Sequence, residues 1–301
     1  MSIHTGKIVD VVKDIDIIEC EECGFRHINP LPTVEELIDT YKHDYYTKEK
    51  PLSLERYKED EHWYQIQYAD RYDTFEDHFN NTKQTRSILD VGSGAGLFLK
   101  SGMARGWETQ GIEPSQQASK HSIDLGINTI VDFLTEDTLK QLKQYDAVHA
   151  SLVVEHVPNA VELLSYIYRL TKPGGIICLT VPNDYNPLQA ALVDVTGIKP
   201  WWIVPTHHMN YFTPTSFEKL IQRTGFKVVL KENTFPIDMF LLMGDNYIGN
   251  DSLGRQTHKR RIAFEKTLFD AGKNDLKRKI YRSLSELDLG REICIYAIKE
   301  E

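Results

Sequence analysis

Cysteine is scarce in this chain. Only four of its 301 residues are Cys, at 20, 23, 178 and 294. A fold stapled by disulfides is therefore excluded, and it is not needed: a compact chain of this length buries roughly 75% of its unfolded surface. Cys178 and Cys294 lie in apolar, strand-like runs and read as small core residues. No run of about 18 apolar residues occurs, which excludes a spanning helix of the usual kind. The start, MSIHTGKIVDVVKDIDI, lacks a basic segment followed by an apolar core, so no signal peptide is expected. Together with the sparse cysteine this points to the cytoplasm. An excess of positive charge is also missing. The net charge of -9 argues against generic binding to nucleic acid or to an anionic membrane. Internal repeats and low-complexity segments are absent.

What is present falls into three zones. Residues 1–84 are rich in Tyr, His and charge and hold the Cys20–Cys23 pair. Residues 85–232 alternate β-rich runs with helical patterns. SILDV (87–91), TQGIE (109–113), NTIV (128–131), YDAVHAS (145–151) and GGIICLTVP (174–182) read as strands. That alternation predicts an α/β fold, a parallel sheet with helices on both faces. Asn159 is placed to cap a helix over 159–171, whose stripe is Val161, Leu164 and Tyr168. A second helix starts at Thr213–Pro214 and ends at Gly225. FKVVLKE (226–232) and EICIYAIKE (292–300) supply two last strands. Residues 233–290 are mostly helical, with basic clusters at 258–261 (HKRR) and 277–279 (KRK).

The first strand of the middle zone breaks into Gly92, Gly94 and Gly96. Such a turn leaves backbone N–H groups unpaired at the sheet's carboxyl edge, where doubly wound folds bind ligands. A dinucleotide fingerprint needs a glycine at 97, but Leu97 stands there. No GK[ST] follows, which excludes a P-loop. Asp90 just ahead of the turn is unwelcome beside a pyrophosphate and welcome beside a cationic or amine-bearing ligand.

D-V-G-S-G-A-G resembles motif I of the class I S-adenosylmethionine-dependent methyltransferases, and L-T-K-P-G-G-I-I-C-L-T-V-P-N resembles that family's late motif. The likeness covers roughly 85–232 and the last strand. It implies a Rossmann-like, doubly wound, seven-stranded and mostly parallel sheet whose last strand is antiparallel. The methyltransferase domain would be 85–301, with insertions at about 183–212 and 233–290, behind a small N-terminal subdomain, 1–84. It implies S-adenosyl-L-methionine as cofactor. Asp90, Gly92 and Gly94 would line its amino-acid part, and Gly96 would permit close helix packing. Glu113 would accept the ribose hydroxyls, an assignment its offset from the glycine turn supports. Asp132 and Phe133 would meet the adenine. Ser151 and Leu152, in S-L-V-V-E-H-V with Glu155 and His156, would lie under the methionine portion.

Methyl transfer to most acceptors needs a base. The long loop 183–212 ends in H-H-M-N-Y-F-T-P, similar to an H-x-x-Y-F segment of methyltransferases acting on sugars. By that likeness His208 is the first choice for base, then His207, with His156 third. Tyr211 and Trp202 are candidates for holding the acceptor, the alternative being that Trp201 and Trp202 plug a core edge. C-E-E-C-G-F-R-H-I-N-P-L-P-T, followed by Tyr45–Tyr46, looks like the end of the zinc-ribbon module that precedes some sugar and surface-glycan methyltransferases. The first Cys pair of that module is missing. Loss of the metal, with the segment kept as a lid, is therefore expected; a Cys2His2 set of His4, Cys20, Cys23 and His27 is the alternative. The expected activity is methylation of oxygen or carbon on a sugar, a nucleotide-linked sugar or a glycan precursor. The alternatives are a quinone-like or other aromatic metabolite, or a non-catalytic cofactor-binding module.

Overall fold

The computed structural model describes residues 4–33, 53–80 and 84–301. Its strands, in chain order, are β1 (Gly6–Val12), β2 (Ile15–Cys20), β3 (Arg26–Asn29), β4 (Ser87–Val91), β5 (Glu108–Ile112), β6 (Asn128–Ile130), β7 (Tyr145–Ser151), β8 (Thr171–Pro182), β9 (Asn210–Tyr211), β10 (Lys227–Asn233) and β11 (Glu292–Ile298). Seven of them form one sheet in the order β10-β11-β8-β7-β4-β5-β6. β4 pairs in parallel with β5 and β7, β5 with β6 and β7 with β8, while β11 runs antiparallel to both β8 and β10. This is the doubly wound α/β sheet expected, with its last strand reversed. β4 has β5 on one side and β7 on the other, so the connections after β4 and β7 diverge at the carboxyl edge and open a crevice there.

Strand residues alternate between two cores. Leu89, Val148, Ile177, Leu179 and Ile295 face the helices Ala160–Leu170 and Pro214–Arg223. Ile88, Ala147, Ile176, Cys178 and Tyr296 face the other way. There they meet Tyr72 and Phe75 of the long helix Ser53–His78, together with Phe98 and Leu99 of the helix Leu97–Ala104. The long helix thus lies on the large sheet although it comes from the N-terminal zone. Non-helical backbone at Asp60 divides it.

Helices Asp251–Asp270 and Asn274–Glu286 fill the stretch between β10 and β11. Their basic clusters are largely taken up by internal pairs. Lys277 Nζ lies 2.6 Å from Asp70 Oδ2, Arg278 lies 3.0 Å from Glu232 and Arg255 lies 2.6 Å from Asp60. Arg261 lies 4.5 Å over the Trp63 ring. Those charges fasten the two helices to the long helix and to β10.

The helix before β8 has Asn159 as its cap, accepting the Glu162 N–H at 3.0 Å. β8 starts at Thr171, three residues before Gly174, because Thr171 already pairs with Tyr145 of β7. A second sheet, β1-β2-β3-β9, brings the N-terminal segment against the loop after β8. Lys13 and Asp14, both at positive φ (52° and 61°), make the tight turn of its first hairpin. Tyr45 and Tyr46 lie outside the described residues. No described helix is long and apolar enough to cross a membrane.

Candidate active site

The chain after β4 takes positive φ at all three glycines, +70° at Gly92, +52° at Gly94 and +77° at Gly96. A Cβ at Gly92 would stand 2.5 Å from Val153 Cγ2, and one at Gly96 would stand 2.5 Å from Ser122 Oγ. These positions need bare backbone for both conformation and space. The Gly92 and Ser93 N–H groups donate to Ile112 O, which binds the turn to the end of β5. Glu113 follows directly. Its Oε2 accepts the Gly94 N–H at 2.9 Å and its Oε1 the Ser115 N–H at 2.8 Å. The side chain is 5% exposed. Burial pushes its pKa up to about 7, against the opposing pull of those two donors.

Gly92, Glu113, Asp132, Phe133, Ser151, Leu152 and His156 share the wall of one cavity of about 250 Å³. The rest of the wall is apolar apart from backbone, and no Lys or Arg is among its described lining residues. Asp132 Oδ1 accepts the Phe133 N–H at 2.9 Å. Leu152 has a φ of +57°, costly for a branched side chain, and its N–H donates to Thr180 O at 2.8 Å. The backbone is thus bent sharply where β7 enters the cavity.

Gly94, Gly96 and Asp90 do not line that cavity. Gly94 acts through its bond to Glu113, and Gly96 through the packing of the helix it precedes. Asp90 is buried, and its Oδ1 accepts from His149 Nδ1 at 2.6 Å. The other nitrogen of His149 lies 2.8 Å from Arg71 Nη1. Arginine can only donate, so His149 Nε2 accepts and the proton sits on Nδ1. Burial lowers the His149 pKa, the Asp90 charge opposes that, and the ring stays neutral. Sequence reasoning missed Arg71 and His149. A histidine inside an otherwise apolar strand was the signal for one; nothing in the sequence marks the other.

On the acceptor side, ligand atoms of Glu155, His156 and His208 lie within 4.8 Å of one another. His156 Nδ1 donates to His207 O at 2.8 Å, and the rings of His156 and His208 meet edge to face at 4.9 Å. His156 Nε2 lies 3.7 Å from Glu155 Oε1. Of the three candidate bases His156 is the one on the cavity wall, with His208 beside it. His207 contributes its backbone carbonyl. Tyr211 and Trp202 sit elsewhere. Both are buried with Ile17, Ile28 and Met209 between the small sheet and the loop. Their place is the core-plugging one, since aromatic area of that size is buried by the nearest apolar face. Cys20 and Cys23, for which loss of the metal was expected, stand with His4 and His27 in one cluster at the edge of the small sheet. The four side chains of the alternative set thus lie within 4.8 Å of one another by their ligand atoms.

A family model described as "Methyltransferase domain" matches residues 61–231. Among curated proteins, the chain is 34% identical over 153 residues to a ubiquinone biosynthesis O-methyltransferase of Klebsiella pneumoniae, covering 47% of this chain and 62% of that protein. It is 31% identical over 153 residues to the protein of the same name from Aeromonas salmonicida, covering 48% and 63%. The chain therefore spans less than two thirds of these relatives. Among solved structures, the plantazolicin methyltransferase BamL, in complex with a triazolic desmethylPZN analog and SAH, superposes with a TM-score of 0.52 at 15% identity, over 88% of this chain and 94% of that one. Phosphoethanolamine N-methyltransferase 2 of Haemonchus contortus gives 0.50 at 15% identity, over 92% and 62%. These two likenesses are of fold.

Proposed function

Because the chain belongs to the methyltransferase-domain family, we propose that it transfers the methyl group of S-adenosylmethionine to a hydroxyl oxygen of a small aromatic, quinol-like acceptor. One observation carries this reading: a single cavity joins the glycine turn and Glu113 to Ser151, Leu152 and His156. Glu113 accepts the ribose hydroxyls, Asp132 and Phe133 hold the adenine, and Ser151 and Leu152 lie under the methionine portion. The sulfonium supplies an activated methyl. The remaining work is to hold the acceptor in line with it and take its proton.

His156 is the proton acceptor we favour, with His208 next to it. The bond from Nδ1 to His207 O fixes the ring as the Nδ1–H tautomer, which leaves Nε2 as the basic nitrogen. Glu155 is close enough to favour the imidazolium that forms. A phenolic hydroxyl, with a pKa near 10 like that of tyrosine, is a much easier proton source for imidazole than an aliphatic one. Two further points support a quinol over a nucleotide sugar: the names of the curated relatives, and the lack of Lys or Arg among the cavity's described lining residues to meet a diphosphate. The small sheet β1-β2-β3-β9 serves as a cover on the acceptor side.

The test is incubation with S-adenosylmethionine and two sets of acceptors, catechols and hydroquinones against nucleotide sugars, with S-adenosylhomocysteine measured by mass spectrometry. We expect turnover of the aromatic set and a kcat lower by about 10²–10⁴-fold in His156→Gln. Turnover confined to nucleotide sugars overturns the acceptor. Tight cofactor binding with no transfer to either set, or to a cell extract, overturns the activity.

A further inference from the structure

We propose that His4, Cys20, Cys23 and His27 bind one zinc ion, which locks the N-terminal sheet onto the loop carrying His207 and His208. One ligand atom from each of the four residues falls in a group no wider than 4.8 Å. His4 Nδ1 lies 3.3 Å from Cys23 Sγ and 3.6 Å from Cys20 Sγ. A tetrahedral ion with Zn–S of about 2.3 Å and Zn–N of about 2.0–2.1 Å has S–N edges of about 3.6 Å. The ligands are already spaced for it.

His27 is the second, independent observation. Its side chain is 0% exposed. Nδ1 donates to Ile28 O at 2.7 Å, so Nε2 carries the lone pair. That buried nitrogen has no hydrogen-bond partner among the described residues. An orphaned acceptor in the core costs free energy, and a metal bond removes the cost. The bond from Nδ1 to a carbonyl is the outer contact that metal-ligating histidines make to fix their tautomer. The Cys20–Cys23 turn has the matching form. The Cys23 N–H donates to Cys20 Sγ at 3.4 Å, the Gly24 N–H donates to Cys20 O at 2.9 Å, and Gly24 has a φ of +75°. The cysteines are not joined to each other or to the remaining pair. Four protein ligands close the coordination sphere, so the ion is structural, with no position for an acceptor.

What the ion holds follows from the pairing of β3. His27 lies opposite Asn210 and Arg26 opposite Tyr211. The Ile28 N–H donates to Met209 O at 2.9 Å, and the Met209 N–H donates to Glu155 O at 2.8 Å. Asn210 Nδ2 donates to Val154 O and Val157 O. Ligand His27 is therefore one strand away from the backbone next to His208 and two bonds away from Glu155. The metal assignment itself does not depend on the acceptor proposed above.

Full-length protein, expressed with added zinc and purified without chelator, is assayed for metal by mass spectrometry, and apo protein is titrated with Co²⁺. We expect one zinc per chain and a thiolate-to-cobalt charge-transfer band with tetrahedral d–d bands. Cys20→Ser should halve the charge-transfer intensity. His27→Ala should weaken zinc binding by more than the roughly 10–100-fold that loss of an outer contact costs. Cys178→Ala, which alters the other buried pair of sulfurs, 3.6 Å apart, should change neither. Wild-type protein with no zinc and no cobalt–thiolate band overturns the proposal, even where the variants fail to fold. So does a band that disappears in Cys178→Ala.

Discussion

The acid at the end of β5, proposed above to hold the ribose, shows how burial makes a carboxyl pH-dependent near neutrality. Burial pushes the Glu113 pKa up to about 7, and only the anion would fully accept the two ribose hydroxyls proposed for it. At pH 8 the free protein holds the anion. At pH 6 most of it is protonated, and that proton must leave on binding. Cofactor affinity is therefore expected to fall about tenfold from pH 8 to pH 6, read by calorimetry at the two values. Glu113→Gln should bind more weakly and show a flat profile; an equal slope in that variant would assign the pH dependence to another group. Glu113 was legible in the sequence because its offset from Gly92 is set by one strand–helix–strand unit. The orientation of Asp90 was not. Its direction depends on His149 from a neighbouring strand and on Arg71 from a helix in another zone, a meeting that spacing along the chain does not encode.

Elements with strong local signals were the most legible. The helix at Ala160–Leu170 carries its own cap, and the buried strands are short, largely apolar runs bounded by turns. The start of β8 was misread because pairing with β7 overrode the glycines. The first two strands are weakly marked in the sequence, because GKIVDVV and IDIIEC carry their Ile and Val partly in adjacent pairs, without a clean two-residue alternation. The attachment of the C-terminal helices was also hidden, since it is polar. Lys277 is 1% exposed and meets Asp70, which also accepts from Asn274 Nδ2 at 2.7 Å. Lys277→Met leaves an unpaired, largely buried carboxylate and should cost about 3–5 kcal/mol. Adding Asp70→Asn removes the stranded charge and keeps an acceptor for Asn274, so the double variant should recover most of that loss. Urea midpoints of the wild type, Lys277→Met, Asp70→Asn and the double variant give the coupling, and additive losses would show that the pair is not a unit.

Across the whole molecule, the strand order decides where the groups gather. β4 at the switch between β5 and β7 opens the crevice, and the long loop after β8 returns through β9, which pairs with the N-terminal sheet. The same burial that shapes this region sets its response to pH. Asp184, just past β8, is buried, its Oδ2 lacks a hydrogen-bond partner among the described residues, and burial pushes its pKa up to about 7 despite the nearby Arg291 charge. Glu113 is raised to a similar value. For both, the folded pKa lies above the unfolded one, so the fold holds their protons more tightly. Their contribution is fully present below about pH 4 and is lost as pH rises through about 7. Glu76 works in the opposite sense: its bond with Arg105 lowers its pKa, and its contribution is lost as pH falls. Stability should therefore decline as pH rises from about 4 to about 7, in part through Asp184. Asp184→Asn keeps the shape and removes the charge. At pH 8 it should stabilise the protein by on the order of 1–3 kcal/mol, about 2–4 °C in Tm per kcal/mol, and at pH 4 it should give little or nothing. Thermal melts of both proteins at the two pH values decide it, and a Tm difference that does not grow with pH would show that Asp184 ionises without cost in the fold.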